Sequence, residues 1–384
     1  MNYYPIHADS RQQLRQQLRQ LNLYSIKYSS CYQLEQKLYL LLSCEQNIPN
    51  LSIYLPNTEI FAKLNTPLAL LLHWAYSELQ QDINWLKLED RAQIGLNCVY
   101  IIQQQTKITR SFLPLTESML IINQTPDSFS DGGEFFQQTK KTLACIEDAL
   151  NSGVSIIDIG AESTRPGANY LTPQEEIQRL NNIIHSIHEL KASYQFKLSL
   201  DSYKAETIQH FLPLIDIVND VSANLPPDCL EQIRAENKIY LFMHSLSVPA
   251  DPKLILDTEI NPLNTIKHWL ERKTTQLLEL GFEQLQLISD PGIGFNKTMN
   301  QSWYLLRHIK QLQHAEIETL VGHSRKRFLN KISAATDATK RDDESARIAC
   351  YLASQEVDYV RLHNYQVYHQ QIISQNQLQN NFNR

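Results

Sequence analysis

The chain has 384 residues, a formal net charge of -6 and a sequence isoelectric point near 6.1. That balance excludes general electrostatic binding to nucleic acid or to an anionic membrane surface, so an anionic ligand has to be gripped by local cations. No stretch approaches the roughly 20 consecutive apolar residues of a membrane helix, and the N-terminus, with Asp9, Arg11 and many glutamines, lacks a signal-peptide core.

Residues 1–114 differ in texture from the rest and contain a single glycine, Gly95. Leu14, Leu18 and Leu21 make one stripe at helical spacing, and Leu34, Leu38 and Leu41 make another, which predicts two amphipathic helices. Leu51 to Leu55 and Asn97 to Ile102 are candidate strands. The expectation is a small α+β or helical domain of unassigned function, with Pro114 near its end and no catalytic motif of its own.

Beyond it, eight apolar, β-branched runs alternate with amphipathic stretches. They are Met119 to Asn123, Val154 to Ile159, Lys197 to Asp201, Ile215 to Asn219, Ile239 to His244, Leu285 to Asp290, Glu318 to Gly322 and Asp358 to His363. Eight βα units in roughly 250 residues are what a closed parallel (β/α)8 barrel requires, so residues 115–375 are expected to form an α/β TIM barrel. The Gln- and Asn-rich residues 376–384 are expected to be a tail. Cys31, Cys44, Cys98, Cys145, Cys229 and Cys350 have no metal-like spacing and predict reduced core thiols in a cytoplasmic protein.

In such a barrel the C-terminal strand ends form the active face, which brings Asn123, Glu162, Asp201, Asn219, His244, Asp290, Ser324 and His363 to one mouth. Asn123 opens the run Asn123-Gln-Thr-Pro-Asp-Ser-Phe-Ser-Asp-Gly-Gly133, whose turn formers, carboxylates and hydroxyls suit a substrate-covering loop. Its amide oxygen suits Mg²⁺ and its NH₂ a phosphate-bearing ligand. In the next loop Thr164 can donate to a phosphate or carboxylate and Arg165 adds a planar charged fork. Asp158 and Glu162 are divided evenly between framework and site.

Asp201, Asn219 and Asp290 present carboxylate, amide and carboxylate to one cavity, a match for the donor-rich edge of a 2-amino-4-oxo-pteridine. Read singly, each could instead cap a helix; Asp201 precedes the acceptable helix start Tyr203-Lys-Ala-Glu206. Gly322-His-Ser-Arg-Lys-Arg327 and Val360-Arg-Leu-His363 supply cations, with Lys326 in reach of a ring nitrogen or carbonyl and Arg361 and His363 on one side of a strand as an anion pocket. A solvated basic cluster is the alternative for Arg325 to Arg327.

Seven segments in series then carry a resemblance: Asn123 to Gly133, Glu162-Ser-Thr-Arg-Pro-Gly167, Asp201-Ser-Tyr-Lys204, Asn219-Asp-Val-Ser222, Asp290-Pro-Gly-Ile-Gly-Phe295, Ser324-Arg-Lys326 and Arg361-Leu-His363. From about 118 to 375 the chain resembles the dihydropteroate synthase family. The resemblance implies a folate-pathway transferase that condenses 6-hydroxymethyl-7,8-dihydropterin diphosphate with 4-aminobenzoate. It implies that Asp201, Asn219, Asp290 and Lys326 hold the pterin between Met243 and Phe295, and that Asn123, Thr164, Arg361 and His363 hold the diphosphate, with Mg²⁺ bridging its oxygens and bound by Asn123. It further implies that Pro126, Phe129, Arg165 and Pro166 build the aminobenzoate pocket with Ser324, with Lys326, Arg361 and His363 as the catalytic cations. The expected partners are these small molecules, with no nucleic acid and no membrane, and a homodimer left open.

The chain departs from the family pattern at Gln124, Ala161, Ser202, the segment His244 to Pro249, and Asn364, none of them a core ligand. Two other readings stand beside this one: a methyltetrahydrofolate-dependent methyltransferase, which would share Asp201, Asn219 and Asp290, and a non-catalytic pterin-binding paralogue.

Overall fold

A computed structural model describes residues 2–8, 11–20, 31–34, 37–44, 98–101, 106–111, 116–125, 138–162, 170–251, 253–314, 317–333 and 337–381. The chain divides into two compact units, Met1–Leu115 and Thr116–Arg384.

The first unit holds a five-stranded sheet in the order β1 (Asn2–Ala8), β3 (Lys37–Cys44), β2 (Cys31–Leu34), β5 (Thr106–Ser111) and β4 (Cys98–Ile101), with every pairing antiparallel. The helix Arg11–Gln20 holds Leu14 and Leu18 of the first stripe and buries Leu14 completely, and Leu21 lies outside the described residues. The second stripe is not a helix. Leu34 pairs with Lys37 and Leu38 with Ala8, so Leu34, Leu38 and Leu41 lie on β-strands. Leu38-Tyr-Leu-Leu-Leu42 is an unbroken apolar run with an aromatic, and a short run of that kind fits a pleated strand as well as a helix, with pairing deciding between them. The unit is therefore α+β. The expected strand from Asn97 to Ile102 is Cys98–Ile101, and Leu51 to Leu55 lie outside the described residues.

The second unit is the closed parallel barrel, with strands β6 (Glu117–Asn123), β7 (Ile156–Gly160), β8 (Lys197–Asp201), β9 (Ile217–Asp220), β10 (Ile239–Met243), β11 (Leu287–Asp290), β12 (Glu318–Gly322) and β13 (Tyr359–Leu362) pairing in sequence until β13 meets β6. Side chains alternate across a strand, so one parity faces the barrel axis and the other the helices. Met119, Ile156, Ile217, Ile239, Leu241, Ile288, Leu320 and Tyr359 pack together inside the barrel. Leu120, Ile122, Ile157, Leu200, Val218, Phe242 and Val360 belong to the larger core beneath the helices. Burying each such side chain contributes about 1.5–3 kcal/mol, which pins the register because a one-residue slip would exchange the two faces.

Helix starts follow from local chemistry. Thr172-Pro-Gln-Glu175 opens the helix Pro173–Glu189 with a reciprocal capping box, and Thr298 with Gln301 does the same for Met299–Arg307. Asn261 accepts from the Leu263 and Asn264 amides at the head of Pro262–Glu279. The closing helix runs from Tyr365 to Asn381, so residues 376–381 of the expected tail are helical. Its head is capped by Asn364, whose Oδ1 accepts from Gln366 N at 3.1 Å, giving this departure from the family pattern a local duty. Cys145, Cys229 and Cys350 are free thiols, and burial pushes the latter two up to about 11.

Since a (β/α)8 barrel closes its own core, residues 116–384 expressed alone are expected to be soluble and to unfold in one cooperative transition by circular dichroism. Aggregation from several start points between 111 and 116 would show that the barrel depends on residues before it.

Candidate active site

The inward parity that carries Met119, Ile156, Ile217, Ile239, Ile288, Leu320 and Tyr359 also carries, two or four residues on, Asn123, Asp158, Asn219, Met243, Asp290, Gly322, Arg361 and His363. Asp201, paired in register with Asn219, closes the set. The apolar plug at the bottom of the barrel thus gives way to polar and charged groups at the C-terminal mouth.

One cluster gathers around Arg361. Its Nε donates to Asp158 Oδ2 at 2.6 Å and its Nη2 to Asp201 Oδ2 at 2.5 Å. Asp158, fully buried, also accepts from Ser199 Oγ at 2.5 Å and from Asn219 Nδ2 at 3.1 Å. Asn219 and Asp201 therefore do not cap helices: the helix Ala205–Phe211 has no side-chain cap, and Asp201 turns inward to Arg361. Burial, opposed by the Arg361 charge and reinforced by the Asp158 charge, pushes Asp201 up to about 7. The two carboxylates raise Arg361 above its ordinary value, so the guanidinium stays charged. Two of its five donors serve the carboxylates, and the rest have no partner among the described residues. Asp158, which the sequence leaves between framework and site, sits at the centre of this cluster.

A second cluster forms across β11 and β12. Both Asp290 and Lys326 reach Gly322: a Cβ there would lie at ordinary contact distance, 3.4 Å from Asp290 Oδ2 and 3.9 Å from Lys326 Nζ. Lys326 Nζ donates to Ile293 O at 2.6 Å and stands 4.5 Å above the Phe295 ring, a cation–π distance. Burial raises Asp290, against the attraction of Lys326 and a hydrogen bond from Gly292 N at 2.7 Å. Met243 is buried at the end of β10, paired with Asp290. Sequence reasoning missed Lys297, whose Nζ donates to Gly292 O at 2.8 Å and Phe295 O at 3.0 Å and lies 3.1 Å from His244 Nδ1. Burial and the Lys326 charge push Lys297 down to about 7, and burial pushes His244 down to about 3. A Cβ at Gly292, φ +66, would lie 2.0 Å from His244 O, so only glycine fits this turn.

Ser324 and His363 meet directly, Oγ to Nδ1 at 3.0 Å, which ties a residue expected at the aminobenzoate end to one expected at the diphosphate. Arg325 is turned away: its guanidinium grips both oxygens of Asp342, at 2.6 and 2.8 Å, from a backbone φ of +58. Glu162 is held as framework by Lys204 Nζ at 2.7 Å, Tyr203 Oη at 2.5 Å and Leu171 N at 2.7 Å. Lys204 also reaches buried Glu176 at 3.4 Å and lies 4.9 Å above the Tyr203 ring. The only sequence signal for this network is a lysine three residues past a strand-end aspartate.

Asn123 ends β6 in register with Gly160. Pro126, Phe129, Gly132, Gly133, Thr164, Arg165 and Pro166 lie outside the described residues. The unusual segment after His244 is organised by Asn296, itself at φ +48: its Oδ1 accepts from Leu246 N at 3.0 Å and Ser247 N at 3.3 Å, and its Nδ2 donates to Leu254 O at 3.0 Å.

The family model of pterin binding enzymes matches residues 119–363. A dihydropteroate synthase of Neisseria meningitidis serogroup C is 32% identical over 256 residues, 64% of this chain and 87% of that protein. Among solved structures, dihydropteroate synthase from Anaplasma phagocytophilum with bound 6-hydroxymethylpterin-monophosphate superposes with a TM-score of 0.61 at 28% identity, covering 69% of this chain and 99% of that one. The Yersinia pestis dihydropteroate synthase in a sulfonamide drug complex gives 0.61 at 28% identity, over 70% and 94% of the two chains.

Proposed function

Because the chain belongs to the pterin binding enzyme family, we infer that it is a dihydropteroate synthase, a transferase of folate biosynthesis that joins 6-hydroxymethyl-7,8-dihydropterin diphosphate to 4-aminobenzoate. The observation that carries the reading is the Asp158–Arg361–Asp201–Asn219 cluster on the inward strand parity, an acceptor-rich pocket beside a cation with spare donors. Asp201, Asn219 and Asp290 bind the amino and ring N–H groups of the pterin, Met243 and Phe295 flank it, and Lys326 meets its carbonyl or ring nitrogen. Arg361, His363, Asn123 and Thr164 take the diphosphate. Ser324 serves the aminobenzoate end with Pro126, Phe129, Arg165 and Pro166.

In this reaction the methylene carbon–oxygen bond breaks and its electron pair leaves with the diphosphate. The aniline nitrogen forms the new carbon–nitrogen bond and then gives up a proton to solvent. Charge grows on the leaving oxygens as the bond stretches, so the unused Arg361 donors hold the transition state more tightly than the ground state. The electron-rich dihydropterin spreads the positive charge on carbon, so a weak nucleophile suffices and no covalent protein intermediate is needed.

For Mg²⁺, the donor set decides how the residues fit. No group of three or more His, Cys, Asp or Glu side chains among the described residues could hold a metal. A single amide oxygen on Asn123 fits an ion that arrives with the diphosphate and keeps most of its ligands from phosphate and water. Bound there, the ion would neutralise charge on the leaving group.

A homodimer is the assembly we propose, and sedimentation of the purified protein tests it. No helix among the described residues is long and apolar enough to cross a membrane, and we place the enzyme in the cytoplasm.

The test is to mix purified protein with the pterin diphosphate, Mg²⁺ and 4-aminobenzoate and to look for dihydropteroate by mass. Pterin binding without product would mark a non-catalytic paralogue, and methyl transfer from methyltetrahydrofolate the other reading. A pH profile adds a second check. Asp201 must be ionised to accept from two pterin donors, and in the free protein it is held near 7. Pterin affinity should rise about tenfold per pH unit below pH 7 and level off above it. Folding runs the other way: a carboxyl whose folded pKa lies above its unfolded value contributes stability below the unfolded value and loses it as pH rises through 7. A flat affinity profile between pH 5.5 and 8.5 would remove Asp201 from the site.

A further inference from the structure

A cleft of about 760 Å³ lies between the loops that follow β8, β9 and β10 and the outer face of the helix Pro262–Glu279. None of the residues assigned above to pterin, diphosphate or aminobenzoate lines it. One wall is a helical face with Trp269, Arg272, Lys273 and Gln276, spaced i, i+3, i+4 and i+7. The other is formed by loop residues, among them Asn224 and Ser247.

No carboxylate among the described residues lines this cleft. Arg272 and Lys273 make no ion pair with any described carboxylate, and the Asn224 and Gln276 amide groups have no hydrogen-bond partner among the described side chains and backbone. The nearest acid on the loop side, Asp220, is buried under the cleft. It already accepts from Ser222 N at 2.8 Å, Ser222 Oγ at 2.6 Å, Asn224 N at 3.2 Å and Tyr240 Oη at 2.7 Å. Those four donors occupy its oxygens, and its charge helps Lys273 keep its proton against the cost of burial. What faces the cavity is therefore a set of donors: a guanidinium, an ammonium and two carboxamides. Two neighbouring cations that repel one another become favourable when an anion lies between them. The volume is that of a small-molecule site, and a chain of net charge -6 offers no wider basic field for a polymer.

We propose that this cleft is a second binding site, separate from the barrel mouth, for a small multivalent oxyanion that carries phosphate or clustered carboxylate groups. Arg272 and Lys273 supply the charge, and Asn224 and Gln276 supply the hydrogen bonds that fix orientation. The Tyr203 hydroxyl is spent on Glu162, so this residue offers only its ring to the ligand.

The experiment is calorimetry on the full chain at low ionic strength, with inorganic diphosphate in one arm and citrate in the other. The wild type should show a site beyond the one at the mouth, for either or both probes. Which arm responds tells phosphate from carboxylate recognition. In Arg272→Ala/Lys273→Ala that second site should weaken at least about tenfold, as expected for the loss of charged partners, while synthase turnover stays within about twofold because neither residue reaches the mouth. Gln276→Glu, at an exposed helical position that tolerates the change, should weaken it similarly by adding a like charge. Absence of a second site with both probes, or a second site unchanged in both variants, would overturn the proposal.

Discussion

Arg361→Ala should abolish measurable turnover and destabilise the fold by about 3–5 kcal/mol at pH 8, the cost of stripping one partner from a buried charge pair. The guanidinium compensates two carboxylates at once, Asp158 at 2.6 Å and Asp201 at 2.5 Å. Asp158 keeps the Ser199 and Asn219 donors when Arg361 is gone, but Asp201 loses the charge that opposes its burial, and the two acids then repel each other. One of them takes up a proton, so the variant should recover part of its stability on acidification below pH 6. Arg361→Lys should fall between the two proteins, because an ammonium cannot span both carboxylates as the planar fork does. Urea denaturation at pH 8 and pH 5.5 checks this. A loss below about 1 kcal/mol at pH 8 would mean that the cluster is hydrated and not a buried pair.

The barrel is legible in the chain because each strand must bury both faces, which leaves apolar runs bounded by turn formers. Each of the eight expected runs overlaps one barrel strand, with bounds displaced by at most two residues at either end. The site is legible for a related reason. Parity fixes which residues of a run face inward, so Asp201, Asn219, Asp290, Arg361 and His363 could be placed at one mouth before any contact was seen. The same logic fails in the first unit, where Leu34, Leu38 and Leu41 satisfy a helical period by chance inside a leucine-rich segment that pairs as strands.

What the sequence hides are partnerships. Asp158 and Arg361 stand 203 positions apart, and nothing local says that an acid in the middle of the second strand meets a base near the end of the eighth. Lys297 reads as a surface lysine after a glycine-rich turn, yet it is wrapped by three carbonyl groups and His244. Arg325 and Lys326 are neighbours with opposite fates. A left-handed backbone at Arg325 sends its side chain to Asp342, and the following residue goes to the mouth. Side-chain direction at such a turn depends on a dihedral that composition does not report.

Asp201→Asn should separate recognition from folding. An amide offers one acceptor oxygen where the carboxylate offers two, and it carries no charge to meet the donor edge of a pterin. Losing a charge-assisted pair of this kind costs about 2–5 kcal/mol, so the Kd for a pterin without phosphate should rise between roughly thirtyfold and several thousandfold. Stability should change by less than about 1 kcal/mol, because the substitution also removes one of two acids competing for a single guanidinium. Diphosphate should bind the variant at least as well as the wild type, since the Arg361 Nη2 donor held by Asp201 is released toward the anion. Calorimetry with 6-hydroxymethylpterin and, separately, with inorganic diphosphate and Mg²⁺ distinguishes these effects. Unchanged pterin affinity in a folded Asp201→Asn protein would place the pterin elsewhere. Equal loss of both ligands would instead make Asp201 a structural partner of Arg361, with the pterin read by Asn219 and Asp290.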